Sequence, residues 1–384
     1  MKYFWIILVS VVFCLWEVGE SKEIRQLNRS VRGLLMGDAY TAIADDEYTL
    51  FYNPAALGRH NGLSIHFLNP DVSVTNVLGE MDRFQNFPTD DPTAIAERIL
   101  GLPLHLRFGA TPGVKMGSFG FNLMASSTTD LVLRNAIHPA LDMDYRLDRG
   151  FVMGYAYTIG GGSRKPKRHR ATSSAASSAG KKTSIGVGFK SMNRQGIFNS
   201  FDLFGLELLN KISTSDGDIY SIRKALGYSY GQGYGVDLGI EHSITTSLSQ
   251  LNLALAIMDV GDTRFTRTAG DSEIPRQEMS VNLGASWSQN FLLLDYTLSV
   301  DLAPLNQDIA FGRKLHVGME LGLPLVSGMF GWNGGYISYG LGVNIWLVKL
   351  YAGFYGVELG SNFRQEEGKR GILYLSILDF SFDP

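Results

Sequence analysis

Residues 36–57 read Met36-Gly37-Asp38-Ala39-Tyr40-Thr41-Ala42-Ile43-Ala44-Asp45-Asp46-Glu47-Tyr48-Thr49-Leu50-Phe51-Tyr52-Asn53-Pro54-Ala55-Ala56-Leu57. A small-residue opening, Gly37-x-Ala39, leads to an Ala44-Asp45-Asp46 centre and a Tyr52-Asn53-Pro54-Ala55 close. Asn53-Pro54 is a turn signal, because the residue before a proline is pushed out of the helical region. The Asn53 side chain either satisfies backbone groups in that turn or meets a ligand. Asp45-Asp46-Glu47 is either a polar turn or a calcium site, although hard cations ask for six or more oxygens. This compact, polar and small-residue stretch stands between two very different kinds of sequence.

Upstream, Met1-Lys2-Tyr3 precedes an apolar run from Phe4 to Trp16. The run suits a secretory signal core and is too short for a membrane-spanning helix, which needs roughly 20 residues. Gly19 and Ser21 place small residues at the −3 and −1 positions of a cut after Ser21. An uncleaved anchor is the alternative. A lipoprotein would use Cys14, but Phe13 stands where a small residue is wanted. Cys14 is the only cysteine, so cleavage leaves no thiol for disulfides, zinc or nucleophilic chemistry.

Downstream the chain is rich in glycine and aromatics, with 44 Gly, 22 Phe and 17 Tyr among 384 residues. Mean hydropathy is near zero at +0.02, too low for a helical membrane protein and suited to a barrel whose two strand faces average out. The net charge of −3 gives no reason to expect a nucleic-acid partner. Period-two alternation recurs in short segments. Leu63–Phe67 alternates, as do Leu104, Leu106, Phe108 and Ala110 against His105, Arg107 and Gly109. Phe119–Ala125 and Phe151–Tyr157 follow. Further candidates are Tyr234–Ser243, Leu248–Met258, Met279–Trp287, Phe291–Leu302, Leu315–Leu323, Tyr336–Trp346, Val348–Leu359 and Gly371–Phe382. The segments number about fifteen; single-chain bacterial barrels have even counts, so fourteen strands are expected, one segment being bent or split.

Three stretches break the series. Asp71 to Gly101 is a longer excursion, with a short helix from Pro92 to Leu100. Gly160 to Lys182 carries Arg164, Lys165, Lys167, Arg168, His169 and Arg170, then a Ser/Ala tract and Lys181-Lys182. It is expected to be a disordered, exposed loop, or a contact for phosphates of surface glycolipid. Residues 195–226 are expected to form an apolar, helical loop over the barrel mouth or in the membrane interface, with Phe201, Leu203 and Phe204 as an outer capture patch.

The quoted motif resembles the N-terminal hatch of FadL-type outer-membrane channels, the bacterial family that takes up long-chain fatty acids and other hydrophobic molecules. Its later part is similar to PorV-type barrels, which serve protein secretion. The resemblance implies an all-β transmembrane antiparallel β-barrel with residues 22–62 as a hatch inside the lumen of a barrel formed by 63–384. It implies that Gly37, Ala39, Asp45, Asp46, Asn53 and Pro54 are hatch or substrate-contacting residues. Partners would be fatty acids, membrane lipids and the outer-membrane barrel assembly machinery, which reads terminal aromatic strands such as Ile372 to Phe382. The protein would act as a monomer in the bacterial outer membrane after signal cleavage, without cofactor or metal.

No catalytic motif is present: there is no Gly-x-Ser-x-Gly elbow, His-Glu-x-x-His or phosphate loop. His105, His138, His242 and His316 are scattered through strand-like sequence. Two function classes remain, a transport channel for hydrophobic molecules and a PorV-like docking or structural barrel. A continuous apolar tunnel would favour the first, and a polar, sealed lumen the second.

Overall fold

The computed structural model describes residues 23–382, apart from 79–80, 87–91, 135–139, 161–179, 203–222, 225, 247, 292 and 346. Seventeen hydrogen-bonded segments form a single antiparallel sheet. Three pairs of segments are halves of one broken strand, so the sheet has fourteen strands. These are β1 (Leu63–Leu68 and Pro70–Thr75), β2 (Leu104–Ala110 and Gly113–Met116), β3 (Phe119–Arg134), β4 (Ala140–Gly160), β5 (Gly180–Asp202), β6 (Ser229–Thr245) and β7 (Ser249–Met258 and Phe265–Ala269). They continue as β8 (Ser280–Asn290), β9 (Asp295–Leu302), β10 (Leu315–Gly322), β11 (Val326–Asn333), β12 (Tyr336–Ile345), β13 (Val348–Glu358) and β14 (Glu367–Phe382). Each strand pairs with its sequence neighbour. The sheet closes where β14 meets β1, with Phe382 opposite Leu63, Asp379 opposite His66 and Tyr374 opposite Asp71. Closure leaves no unpaired edge, as a membrane-spanning sheet requires.

The breaks in β1 and β2 face each other. Pro112 cannot donate to the ladder, and Asn69 repairs the gap with its side chain. Asn69 Oδ1 accepts from Thr111 N at 2.9 Å and Nδ2 donates to Thr111 O at 2.8 Å, as a backbone partner would.

Strand β6 shows how the two faces divide. Asp237, Glu241 and Ser243 are buried together with the glycines at 231, 233, 235 and 239, while Tyr234, Val236, Leu238 and Ile240 are exposed. The apolar face therefore points outward and the small, polar face inward, the division of a membrane barrel. On the outer wall, Phe121, Phe151, Phe189 and Tyr234 form an aromatic ladder with ring centroids 6.0, 6.3 and 6.3 Å apart. Arg149, Ser191 and Gln232 follow on the same strand faces beyond it. Trp287, Tyr296 and Phe291 cluster at the other border, around the β8–β9 turn. Aromatic rings settle at membrane interfaces because they join an apolar body to a polar tip or edge. No helix among the described residues is long and apolar enough to cross a membrane.

The strand series departs from expectation in several places. Val326–Asn333 was not among the candidates, because Gly328 and Gly331 interrupt its apolar pattern; pairing with β10 and β12 makes it a strand. Asp71–Thr75 belong to β1 rather than to the excursion. Gln195–Asp202 extend β5 instead of starting a helical loop, because Ala140–Leu147 supply a pairing edge. Non-local pairing overrides a local apolar pattern of this kind. The remainder of that loop, 203–222, lies outside the described residues. So does the signal segment, and so does most of the basic stretch, of which Gly160 and Gly180–Lys182 are strand.

Strand parity fixes the ends of the barrel. Apart from the two-residue turn 334–335, the short turns, including 117–118, 246–248, 323–325 and 346–347, share one end with the start of β1 and the finish of β14. The long connections 76–103, 203–228 and 303–314 leave from the other. The basic connection between β4 and β5 starts and finishes at the short-turn end, although it is one of the longest.

Candidate functional site around the N-terminal segment

Residues 23–60 are built from short pieces. Helix α1 (Val31–Leu35) is capped by Ser30, whose Oγ accepts from Gly33 N at 3.3 Å, supplying one of the partners that a helix start lacks. Gly37 and Asp38 then adopt left-handed backbone. Helix α2 (Thr49–Tyr52) ends at Asn53, where Pro54 opens a 3₁₀ turn (Pro54–Arg59). Tyr40 and Tyr52 meet edge to face at 5.0 Å. Leu34, Leu35, Met36, Tyr48, Leu50 and Leu57 join them in the core.

This segment touches the wall on every side. Thr41 N donates to Asp301 of β9 at 2.7 Å. Arg32 Nε donates to Glu320 of β10 at 2.9 Å. Asn53 Nδ2 donates to Glu241 of β6 at 3.1 Å, and Arg59 pairs with the same carboxylate at 3.3 Å. Asn252 of β7 and Ser286 of β8 both donate to Ala42 O. Asn122 of β3 donates to Glu47 O, and Lys115 of β2 to Asp46 O, each at 3.0 Å. Tyr374 of β14 donates to the Glu47 carboxylate.

Inward glycines let the two backbones touch. A Cβ at Gly331 would lie 2.0 Å from Gly37 N, one at Gly318 2.4 Å from Met36 O, and one at Gly186 2.3 Å from Ala55 N. Much of the chain's glycine content thus serves close backbone approach.

The residues singled out by the motif have these places. Gly37 has φ +68°, and its carbonyl accepts from His316 Nδ1 at 3.0 Å. Ala39 is fully buried. Asp45 is exposed and paired with Arg32 at 2.6 Å. Asp46 accepts from Ser30 Oγ at 2.6 Å, Tyr40 OH at 2.8 Å and Tyr48 N at 2.9 Å. Burial, then the neighbouring Glu47 and Asp45 charges, push its carboxyl up to about 6. Asn53 Oδ1 accepts from Ala55 N at 3.0 Å, so its side chain does satisfy the turn, and it also reaches the wall. Asp46 and Glu47 accept from protein donors, Asp45 holds Arg32 through Oδ1, and no group of acidic or imidazole side chains among the described residues is arranged to hold a metal.

Phe201 is a correction. It is 4 % exposed within β5, so it does not present a capture surface. Leu203 and Phe204 lie outside the described residues.

Sequence reading missed the wall partners Asp71, Lys115, Glu241, Asp301 and Arg370. Their signal was present: in Val236-Asp237-Leu238-Gly239-Ile240-Glu241 a charge or glycine occupies every position opposite the apolar face.

Cavities flank the segment on both sides. One of about 250 Å³ lies toward the long-loop end, beside Glu23, Arg25, His105 and Arg370. One of about 400 Å³ lies toward the short-turn end, beside Arg32, Lys115, Lys349 and Asp379. Between them the segment and inward wall side chains such as Met124, Val152, Met192 and Met329 form a buried core. Ser376, Asp379 and His66 gather near the second cavity, but Ser376 Oγ bonds Asp379 at 3.5 Å rather than the imidazole, so the base that activates a serine is not in contact with it.

The chain is a closed transmembrane β-barrel. No protein-family model matches it, and neither does any curated protein. Similar solved structures include the CymD monoaromatic hydrocarbon channel, 10% identical, covering 94% of this chain and 99% of that one with a TM-score of 0.45. The Pseudomonas putida toluene transporter TodX is 11% identical, covering 94% and 100%, with a TM-score of 0.42. The translocator domain of autotransporter NalP from Neisseria meningitidis is 10% identical, covering 83% and 88%, with a TM-score of 0.30. CymD and TodX are FadL-family channels, the family that the N-terminal motif resembles.

Proposed function

We propose that the protein is a channel of the bacterial outer membrane for uptake of hydrophobic small molecules, with residues 22–62 acting as a hatch that shifts to let cargo pass. The observation that carries this reading is the pair of cavities on opposite sides of a segment held to the wall by hydrogen bonds, ion pairs and side-chain packing. Eight strands already make a barrel that side chains can fill. A fourteen-stranded wall stoppered by a piece of its own chain is what a passage needs and a membrane anchor does not. Long-chain fatty acids are the proposed cargo, following the motif, and hydrocarbons of the kind carried by the similar channels are the competing class. In this reading the short-turn end faces the periplasm, since outer-membrane barrels keep their turns short there.

Buried wall charges such as Asp237 and Glu241 support a second reading, a PorV-like docking barrel. Uptake of labelled fatty acid by cells with and without the gene separates the two. Loss of uptake on deletion supports the channel. Unchanged uptake together with secreted proteins failing to reach the surface replaces it with the docking role.

A further inference from the structure

Glu23 stands where three cavities meet. One guanidinium grips its carboxylate: Arg370 Nη1 donates to Oε1 and Nη2 to Oε2, both at 2.8 Å. This two-pronged fit is the strongest and most shape-specific way for a side chain to recognise a carboxylate. Arg370 belongs to β14 and is 5 % exposed, while Glu23 belongs to the N-terminal segment.

Arg370 differs from the other wall arginines of this region. Arg107 pairs with Asp71 at 2.6 Å, Arg146 with Asp144 at 2.9 Å and Arg194 with Asp148 at 2.7 Å, and every one of those carboxylates is also on the wall. Arg370 draws both of its short bonds from the segment, and its wall neighbour Asp130 stands off at 3.4 Å. When the segment moves, the other three pairs stay intact, while Arg370 loses its two-pronged partner and keeps only the longer contact with Asp130, which gives up Arg25 in the same step. A buried guanidinium reduced to one offset carboxylate, which His105 also shares, has an open prong for another carboxylate. The 250 Å³ cavity next to it has apolar lining from Pro103, Leu104, Val132, Met143 and Leu359.

We infer that Arg370 is a carboxylate-binding site for cargo and that Glu23 occupies it in cis while the segment is docked. The ligand class is an aliphatic monocarboxylate, with its head on Arg370 and its tail along Leu104, Val132 and Met143. Cargo and segment compete for one guanidinium, so arrival of the head group favours release of residues 23–29. A tethered competitor acts at an effective concentration on the order of millimolar, and removing its charge strengthens cargo binding. The inference rests on the uptake reading and adds the head group to it.

The test is calorimetric titration of the purified full-length protein in detergent, with octanoate and octanol as matched probes. Retained heat-modifiable gel mobility verifies folding of each variant. Glu23→Gln should bind octanoate at least tenfold more tightly and leave octanol unchanged. Arg370→Gln should erase the preference for octanoate over octanol, and Arg370→Lys should restore part of it. If both probes bind alike in every variant, uptake stands and the Arg370 site falls. If Glu23→Gln strengthens both equally, Glu23 is a steric plug and the inference is overturned. If neither probe binds any variant, the uptake reading and the inference fall together.

Discussion

Asn53 Nδ2 lies 3.1 Å from Glu241 Oε2 while its Oδ1 accepts from Ala55 N. One side chain therefore closes the turn before Pro54 and fastens that turn to β6. Both groups are buried, and the carboxylate also pairs with Arg59. Replacing Glu241 with leucine removes the acceptor of three donors, from Asn53, Arg59 and Ser243, a loss of about 1–3 kcal/mol for each donor left buried and unpaired. Glu241→Leu should raise ion conductance in a planar bilayer part of the way toward that of a protein lacking Arg25 to Leu57. Wild-type conductance in this variant would mean that the contact does not hold the segment.

Glycine-backed contact gives a sharper case. A Cβ at Gly331 would sit 2.0 Å from Gly37 N and 2.2 Å from Met36 C, both backbone atoms that cannot rotate away. Gly331→Val should expel the segment while the barrel, whose ladder bonds are untouched, still folds. The expected result is heat-modifiable gel migration like the wild type, with conductance close to that of the Arg25–Leu57 deletion. A barrel that folds and conducts as the wild type does would show that the wall yields instead.

Parity reverses the expected site of the basic stretch. The β4–β5 connection leaves Gly160 and returns at Gly180 on the short-turn end, so it cannot reach surface glycolipid if that end is periplasmic. Trypsin should spare residues 164–170 in intact cells and cut them after lysis, without dissociating the barrel. Cleavage in intact cells would invert the orientation.

Protons should act on the segment with two opposite signs. The raised carboxyl of Asp46, near 6 against an ordinary 3.8, opposes docking when ionised. That penalty is present above about pH 6 and is relieved as pH falls through that value toward 3.8, on the order of 3 kcal/mol in full. Glu23 goes the other way: against burial, which raises it, Arg370 with Arg25 and Arg29 holds its carboxyl well below the usual range. Its contribution is complete above its ordinary 4.5 and is lost only in stronger acid. Thermal unfolding should therefore shift upward between pH 7.5 and pH 5. Asp46→Asn should flatten that rise, and an unchanged slope in the variant would remove Asp46 from the account.

Several features of this protein were legible in the residues alone. The barrel class follows from period-two alternation, the lack of long apolar runs and the aromatic finish of β14, because these depend on spacing within one strand. The Asn53 turn was also visible, since Pro54 restricts its neighbour whatever surrounds it.

The tertiary structure decided what spacing cannot express. Alternation is the same whichever face points inward, so only closure showed that glycines and charges such as Asp237 and Glu241 line the interior. Val326–Asn333 and Gln195–Asp202 became strands because neighbouring strands offered pairing edges, and that energy is non-local. The Glu23–Arg370 and Asn53–Glu241 contacts join residues far apart in the chain. Each half is an ordinary polar residue until the barrel closes and brings its partner within reach.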